Sequence, residues 1–287
     1  FFFKQKTAYE IPKRDWSSDV CSSDLAADMK AGGARRLIVH ADDLGMARAI
    51  NQASIDALER GLVMAASVIV PGPWFAEAAE YAASHPAADV GIHLAITCEV
   101  RSHRWGPVAP AERVPTLLAP DGTFWQTTDD VARYARPDEV AIELAAQIDA
   151  VRRAGVTPTH LDTHMLALYR TSPLLAVLRD VSRASGIPCA DPFARPSLMH
   201  VANFTLASSP AADLSTRCDE LLSSLRPGTT QLNVHCGHDT PELRAIVGAD
   251  TPYGAAWRQR DCEILNGQLW QSALARHGVE LCGWRER

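Results

Sequence analysis

The ten residues IVHADDLGMA, from Ile38 to Ala47, decide how the rest of the chain is read. Leu37 to Val39 is a short apolar run. From Ile50 onward, apolar residues recur at three and four positions (Ile50, Ala53, Ala57, Leu58) until Gly61 offers a helix stop. A strand that feeds a helix is one βα unit. Between the two lie Asp42 and Asp43, adjacent carboxylates that repel each other and have no cationic neighbour in sequence. A helix N-cap near Met46 is one use for such a residue; a bound cation is another.

The alternation continues along the chain. ASVIV (66–70) reads as a second strand with a helical stretch from Trp74 to Ser84, and DVGIHL (89–94) reads as a third. Periodicity then fails between about Ala95 and Arg136, where prolines, glycines and the aromatics Trp105, Phe124 and Trp125 mark a functional loop or lid. It resumes with a helix over Asp138–Ala154, the run PTHLDTH, a helix from about Pro173 to Ser185, a strand near IPCAD and a helix over Ala211–Leu225. QLNVHCGH, a helix around Ala255–His277 and VELCGW complete the pattern. Six or seven βα units in series predict an α/β fold of barrel-like, distorted TIM-type arrangement, in one domain over residues 35–287. The glycine fingerprint of a doubly wound nucleotide-binding sheet is missing.

Residues 1–25 do not share this pattern. They mix aromatics, charges and a Ser/Asp cluster, lack the layout of a secretory signal, and resemble translated adaptor sequence, so they are expected to be disordered and the native start to be missing. The 287-residue chain is 47% hydrophobic and carries a formal net charge of -6. That balance gives no reason to expect nucleic acid or an anionic membrane surface as a partner. No apolar run approaches the ~20 residues of a membrane span. Seven cysteines without CxxC spacing favour reduced thiols and a cytoplasmic location; a homodimer is compatible with all of this.

In an α/β barrel, reacting groups come from the carboxyl ends of several strands. Five of the ten histidines fall at such places: His40 ahead of the two aspartates, His93, His160 and His164 around Asp162, and His235. Any one of these reads alone as an ordinary structural histidine. Together, imidazoles and carboxylates at the ends of separate strands are what a divalent-metal site requires. If PTHLDTH is extended, residues 160, 162 and 164 share one face, and Asp162 is placed to orient an imidazole. Trp105 is a candidate either for stacking on a ligand or for packing that closes the barrel mouth.

The segments ADDLG, GIHL, THLDTH and VHCG, in that order, resemble the YdjC-like carbohydrate deacetylases, distant relatives of the NodB-type polysaccharide deacetylases. RWGPV, DGTFW, ELRAIVGAD and WRQRD extend the likeness from about Arg35 to the C-terminus. The resemblance implies that Asp43, His93 and His164 hold one divalent metal ion, magnesium or zinc, and that Asp42 is the general base. It implies His235 near the leaving group, although Cys236 stands where the family usually has proline. It also implies a supporting pair, Arg258 and Asp261, and an N-acetylated saccharide as substrate. Two other readings compete: a two-His-one-carboxylate iron oxygenase, since HLDTH contains those residue types, and a carbohydrate-binding barrel without chemistry.

Overall fold

The computed structural model describes residues 34–194 and 199–287, so the tail 1–25 lies outside the described residues. The strands are β1 Arg35–Leu44, β2 Ala65–Val68, β3 Val90–Leu94, β4 Leu161–Thr163, β5 Met199–Asn203, β6 Gly228–Val234 and β7 Glu280–Leu281. The helices are α1 Arg48–Glu59, α2 Phe75–Ser84, α3 Thr128–Tyr134, α4 Pro137–Arg153, α5 Ser172–Ser185, α6 Leu214–Ser223, α7 Pro241–Val247, α8 Ala255–Asn266 and α9 Gln268–His277. Six strands run in the order β4-β3-β2-β1-β6-β5, every pairing parallel, and β7 adds to the start of β1. The sheet curls into a half-barrel, the distorted TIM-like arrangement the βα alternation predicts. Its carboxyl ends therefore open on one mouth.

The strands are short and buried because helices cover the outer face and polar side chains fill the inner one. Along β1, Leu37, Val39 and Ala41 join the main apolar core with the helices. Ile38 instead packs with Ala190, Met199, Cys282 and Trp284 at the floor of the half-barrel. Period-two alternation then sends His40 and Asp42 onto the inner face above Ile38. That face is polar and dry: His40, Ser67, His93, His160, Asp162, Gln231 and Asn233 are all buried.

One glycine shows how tightly this interior is filled. A Cβ on Gly91 of β3 would lie 2.6 Å from three atoms of the His160 ring. Gly91→Ala is expected to displace that imidazole and destabilise the fold by about 1–3 kcal/mol, the usual cost of overpacking; urea denaturation measures it, and an unchanged midpoint would show that the ring is not confined there.

Three elements differ from the sequence pattern. IPCAD forms no full strand: the Leu161 N–H donates to the Pro188 carbonyl and the Ala190 N–H to the Leu161 carbonyl, both at 2.8 Å, which makes only a bridge beside β4. The single helix expected over Ala255–His277 is two, because Gly267 adopts an extended backbone between α8 and α9. β5, an edge strand, is a further element that the pattern does not announce.

Candidate metal centre and active site

Asp42 and Asp43 both line one pocket at the mouth. A regular strand would point them to opposite faces. The register between β1 and β2 shifts between Ala41 and Leu44, and Asp43 takes a left-handed φ of 73°. This bulge turns consecutive carboxylates to the same side, a common use of bulges beside active sites. Gly45 follows at φ 89°, where a Cβ would meet the Ile69 carbonyl oxygen at 2.6 Å.

Asp43 Oδ1 lies 3.2 Å from His164 Nδ1 and 3.5 Å from His93 Nε2. Ligands ~2.1 Å from a shared tetrahedral ion are separated by about 3.4 Å, so these edges fit one cation. The tautomers fit as well. His93 Nδ1 faces Asp162 Oδ1 at 2.7 Å and His164 Nε2 faces Glu99 Oε2 at 2.9 Å. A neutral ring that donates outward to its carboxylate turns a lone pair toward Asp43 Oδ1, and a protonated ring donates to it. An acceptor facing an acceptor is unfavourable unless a proton or a metal cation lies between them. Arg258 holds the other oxygen, with its Nη2 2.8 Å from Asp43 Oδ2.

The local charge leads to the same demand. Asp42, Asp43, Glu99 and Asp162 gather around the pocket, and Arg258 is the permanent cation in contact with them among the described residues. Burial disfavours the charged form of Asp43, but Arg258 and His164 outweigh it and hold the carboxyl well below the usual range. Burial likewise opposes a charge on His164, yet Glu99 and Asp43 push it up to about 10. The carboxylates draw a positive charge into this spot. Asp42 differs: burial dominates and pushes its carboxyl well above the usual range.

Glu99 was not foreseen. It lies in the irregular segment after β3 with no motif around it, and its only sequence signal is a lone carboxylate shortly beyond Leu94, the last residue of that strand. If His164 holds an ion, loss of the carboxylate that orients its ring should weaken metal binding about 10- to 100-fold. Calorimetric titration of Glu99→Gln with zinc checks this; wild-type affinity would mean that Glu99 merely neighbours the site.

His235 Nε2 lies 3.9 Å from Asp42 Oδ2, its ring packs edge-on against Tyr253, and its backbone N–H donates to Asp261 Oδ2 at 3.1 Å. Burial pushes its imidazole down to about 3. Arg258 and Asp261, expected to support each other, each serve the mouth by a separate contact: one on Asp43, the other on the His235 backbone. Cys236 is fully buried behind His235. Met165 and Leu166, directly after His164, both have left-handed backbones at φ 52° and 55° and line the pocket.

Of the two roles open to the aromatics of the irregular segment, stacking and packing, the structure places them in packing. Trp105 is 4% exposed, donates its Nε1–H to the Thr97 carbonyl at 3.0 Å and packs 6.1 Å from the His164 ring. It has no open face for stacking, because the loop folds it into the core behind the imidazole. Phe124 is wholly buried, and Trp125 stacks on Tyr134. His160 does share the inner face with Asp162, but its partner is His40, at 2.7 Å.

A family model described as YdjC-like protein matches residues 36–276. A carbohydrate deacetylase from Enterococcus faecalis is 32% identical over 155 residues, which are 54% of this chain and 57% of that protein. One from Halalkalibacterium halodurans is 30% identical over 164 residues, 56% and 65% of the two chains. The matched stretches thus span between half and two-thirds of these relatives. Among solved structures, an Enterococcus faecalis protein provisionally described as a cellobiose-phosphate cleavage protein superposes with a TM-score of 0.74 at 26% identity, over 88% of this chain and 98% of that one. With the family match running through β1 to α9, the chain belongs to the YdjC-like family.

Proposed function

We propose that this chain is a metal-dependent carbohydrate deacetylase, a single catalytic domain over residues 35–287 that hydrolyses the acetamide of an N-acetylated sugar. The observation that carries the reading is the convergence of His93 Nε2 and His164 Nδ1 on one oxygen of Asp43, at 3.5 and 3.2 Å, with Asp42 alongside. Asp43, His93 and His164 would hold the ion, and mixed nitrogen and oxygen donors suit either zinc or magnesium. Such an ion, when bound, acidifies water and polarises a carbonyl.

The remaining work falls to the chain's own groups. Asp42 takes the proton of the attacking water at Oδ2, and its burial, by raising the carboxyl's proton affinity, suits that task. His235 is held neutral at rest by burial, so it acts by passing a proton received from the Asp42 side to the departing amine. The carbon–nitrogen bond breaks as that nitrogen is protonated, leaving acetate and a free amino sugar. Arg258 keeps Asp43 ionised. Beside the pocket, a groove of ≈ 330 Å³ bounded by Glu99, Arg101, Ser102, Ile246 and Tyr253 gives the rest of a saccharide a place to lie.

A cytoplasmic setting accords with the described cysteines, which are free thiols. Among the described residues no helix is long and apolar enough to cross a membrane. The test combines elemental analysis of the purified protein with acetate release from a panel of N-acetylated saccharides, before and after chelation. The expected result is acetate release that chelation abolishes and added metal restores. Undiminished release without metal would refute the reading, and iron-dependent oxygen consumption would establish the oxygenase in its place.

A further inference from the structure

Asn233 lines the same pocket as Asp42, Asp43 and His235 and is only 4% exposed, yet the proposed reaction leaves it without a task. It lies near the mouth end of β6, two residues beyond Gln231 and on the same inner face. The two ends of an amide differ in kind: the oxygen accepts, the nitrogen donates, and the partners decide which end lies where. Here the partners leave no choice. The Trp284 indole N–H can only donate, and it lies 3.0 Å from Gln231 Oε1. Gln231 Nε2 is therefore the donor at the other end, to Asn233 Oδ1 at 2.9 Å and more loosely to Asp162 Oδ2 at 3.4 Å. With its oxygen engaged by Gln231, Asn233 keeps Nδ2 for the pocket. Among the described residues no group accepts from that nitrogen.

We infer that Asn233 is a further catalytic residue: Trp284 and Gln231 orient its amide so that Nδ2–H donates to the carbonyl oxygen of the substrate's acetyl group. The inference rests on the deacetylase reading. A sugar hydroxyl both donates and accepts, so it suits the carboxylates of the site as well as an N–H. The acetamide oxygen only accepts, and against Asp42 or Asp43 it would set oxygen on oxygen with no proton between. Asn233 offers the donor it needs, in the same pocket. As water adds to the acetyl carbon, this oxygen gains negative charge, and a donor already held in place stabilises that charge without reorganising. Asn203 lines the same wall, but among the described residues no side-chain partner fixes which end of its amide faces inward.

Two experiments test this. Neutron diffraction from crystals of the deuterium-exchanged protein is expected to show the Asn233 amide deuterons on the pocket side, away from Gln231; a reversed amide would overturn the inference. In metal-loaded enzyme, Asn233→Asp and Asn233→Leu are compared. The aspartate keeps an acceptor for Gln231 Nε2 and loses the donor, whereas the leucine loses both. Both variants are expected to lose ~10²- to 10³-fold in kcat, the usual cost of one donor to a developing oxyanion. KM is expected to stay within about threefold, because the contact strengthens only in the transition state, and the leucine variant is expected to bind as much metal as the parent. An aspartate variant as active as the parent, or a raised KM with kcat unchanged, would overturn the inference by showing that the amide serves structure or sugar binding instead. If neither variant folds, the deuteron positions still decide it. Wild-type protein that releases no acetate would end the deacetylase reading and this inference with it, an outcome distinct from an active parent with an active aspartate variant.

Discussion

Asp42→Asn is expected to retain its metal and lose about 10²- to 10⁴-fold in kcat, the range typical of a positioned proton acceptor. The amide copies the carboxylate's shape and can keep the contact with His40 Nδ1, which lies 2.7 Å from Asp42 Oδ1 in the native chain. What it lacks is the ability to take a proton from water. Because Asp43, His93 and His164 are untouched, elemental analysis should show the same stoichiometry as the parent. Turnover within about tenfold of the parent would remove Asp42 from the role of base.

His93→Ala has the opposite signature: bound metal falls, activity goes with it, and the fold weakens. The variant removes one donor and also strips Asp162 of its closest partner, His93 Nδ1 at 2.7 Å. Burial raises the Asp162 carboxyl, but His93 and His40 more than offset this and hold it below the usual range. Depriving a buried carboxylate of a hydrogen-bond donor costs about 1–3 kcal/mol, and Ser67 and Gln231 still donate to it. Elemental analysis and urea denaturation read the two effects separately. Full metal content in this variant would exclude His93 from the ligand set.

The architecture was legible in the sequence where strands are buried and helices amphipathic: β3, α4 and α5 lie within a residue or so of their expected bounds. β1 runs on well past its apolar triplet, because its later inward positions carry the polar groups of the site. β5 was less legible still, since its residues are mostly half-buried at the sheet edge and so carry no apolar run. The site residues were visible as types at strand ends, but their arrangement was not. Nothing in ADDLG announces the bulge that turns Asp42 and Asp43 to one side, because a left-handed φ falls on Asp43 as well as on the glycine that follows. Glu99 was hidden for another reason: tertiary contact alone, across a loop of irregular sequence, brings it to His164. For Trp105 the sequence left stacking and packing open, because an aromatic in a proline- and glycine-rich segment looks exposed, whereas this loop folds its own apolar residues inward.

Met165 and Leu166 hold a left-handed backbone without glycine, at roughly 1–2 kcal/mol apiece. The segment is thus bent against its own preference, like a drawn spring, where it leaves β4 behind His164. Relaxing that bend would make the chain sturdier while letting the adjoining imidazole swing. Firmness of the whole molecule and exactitude at its mouth are therefore opposed in this stretch, and the sequence favours the mouth.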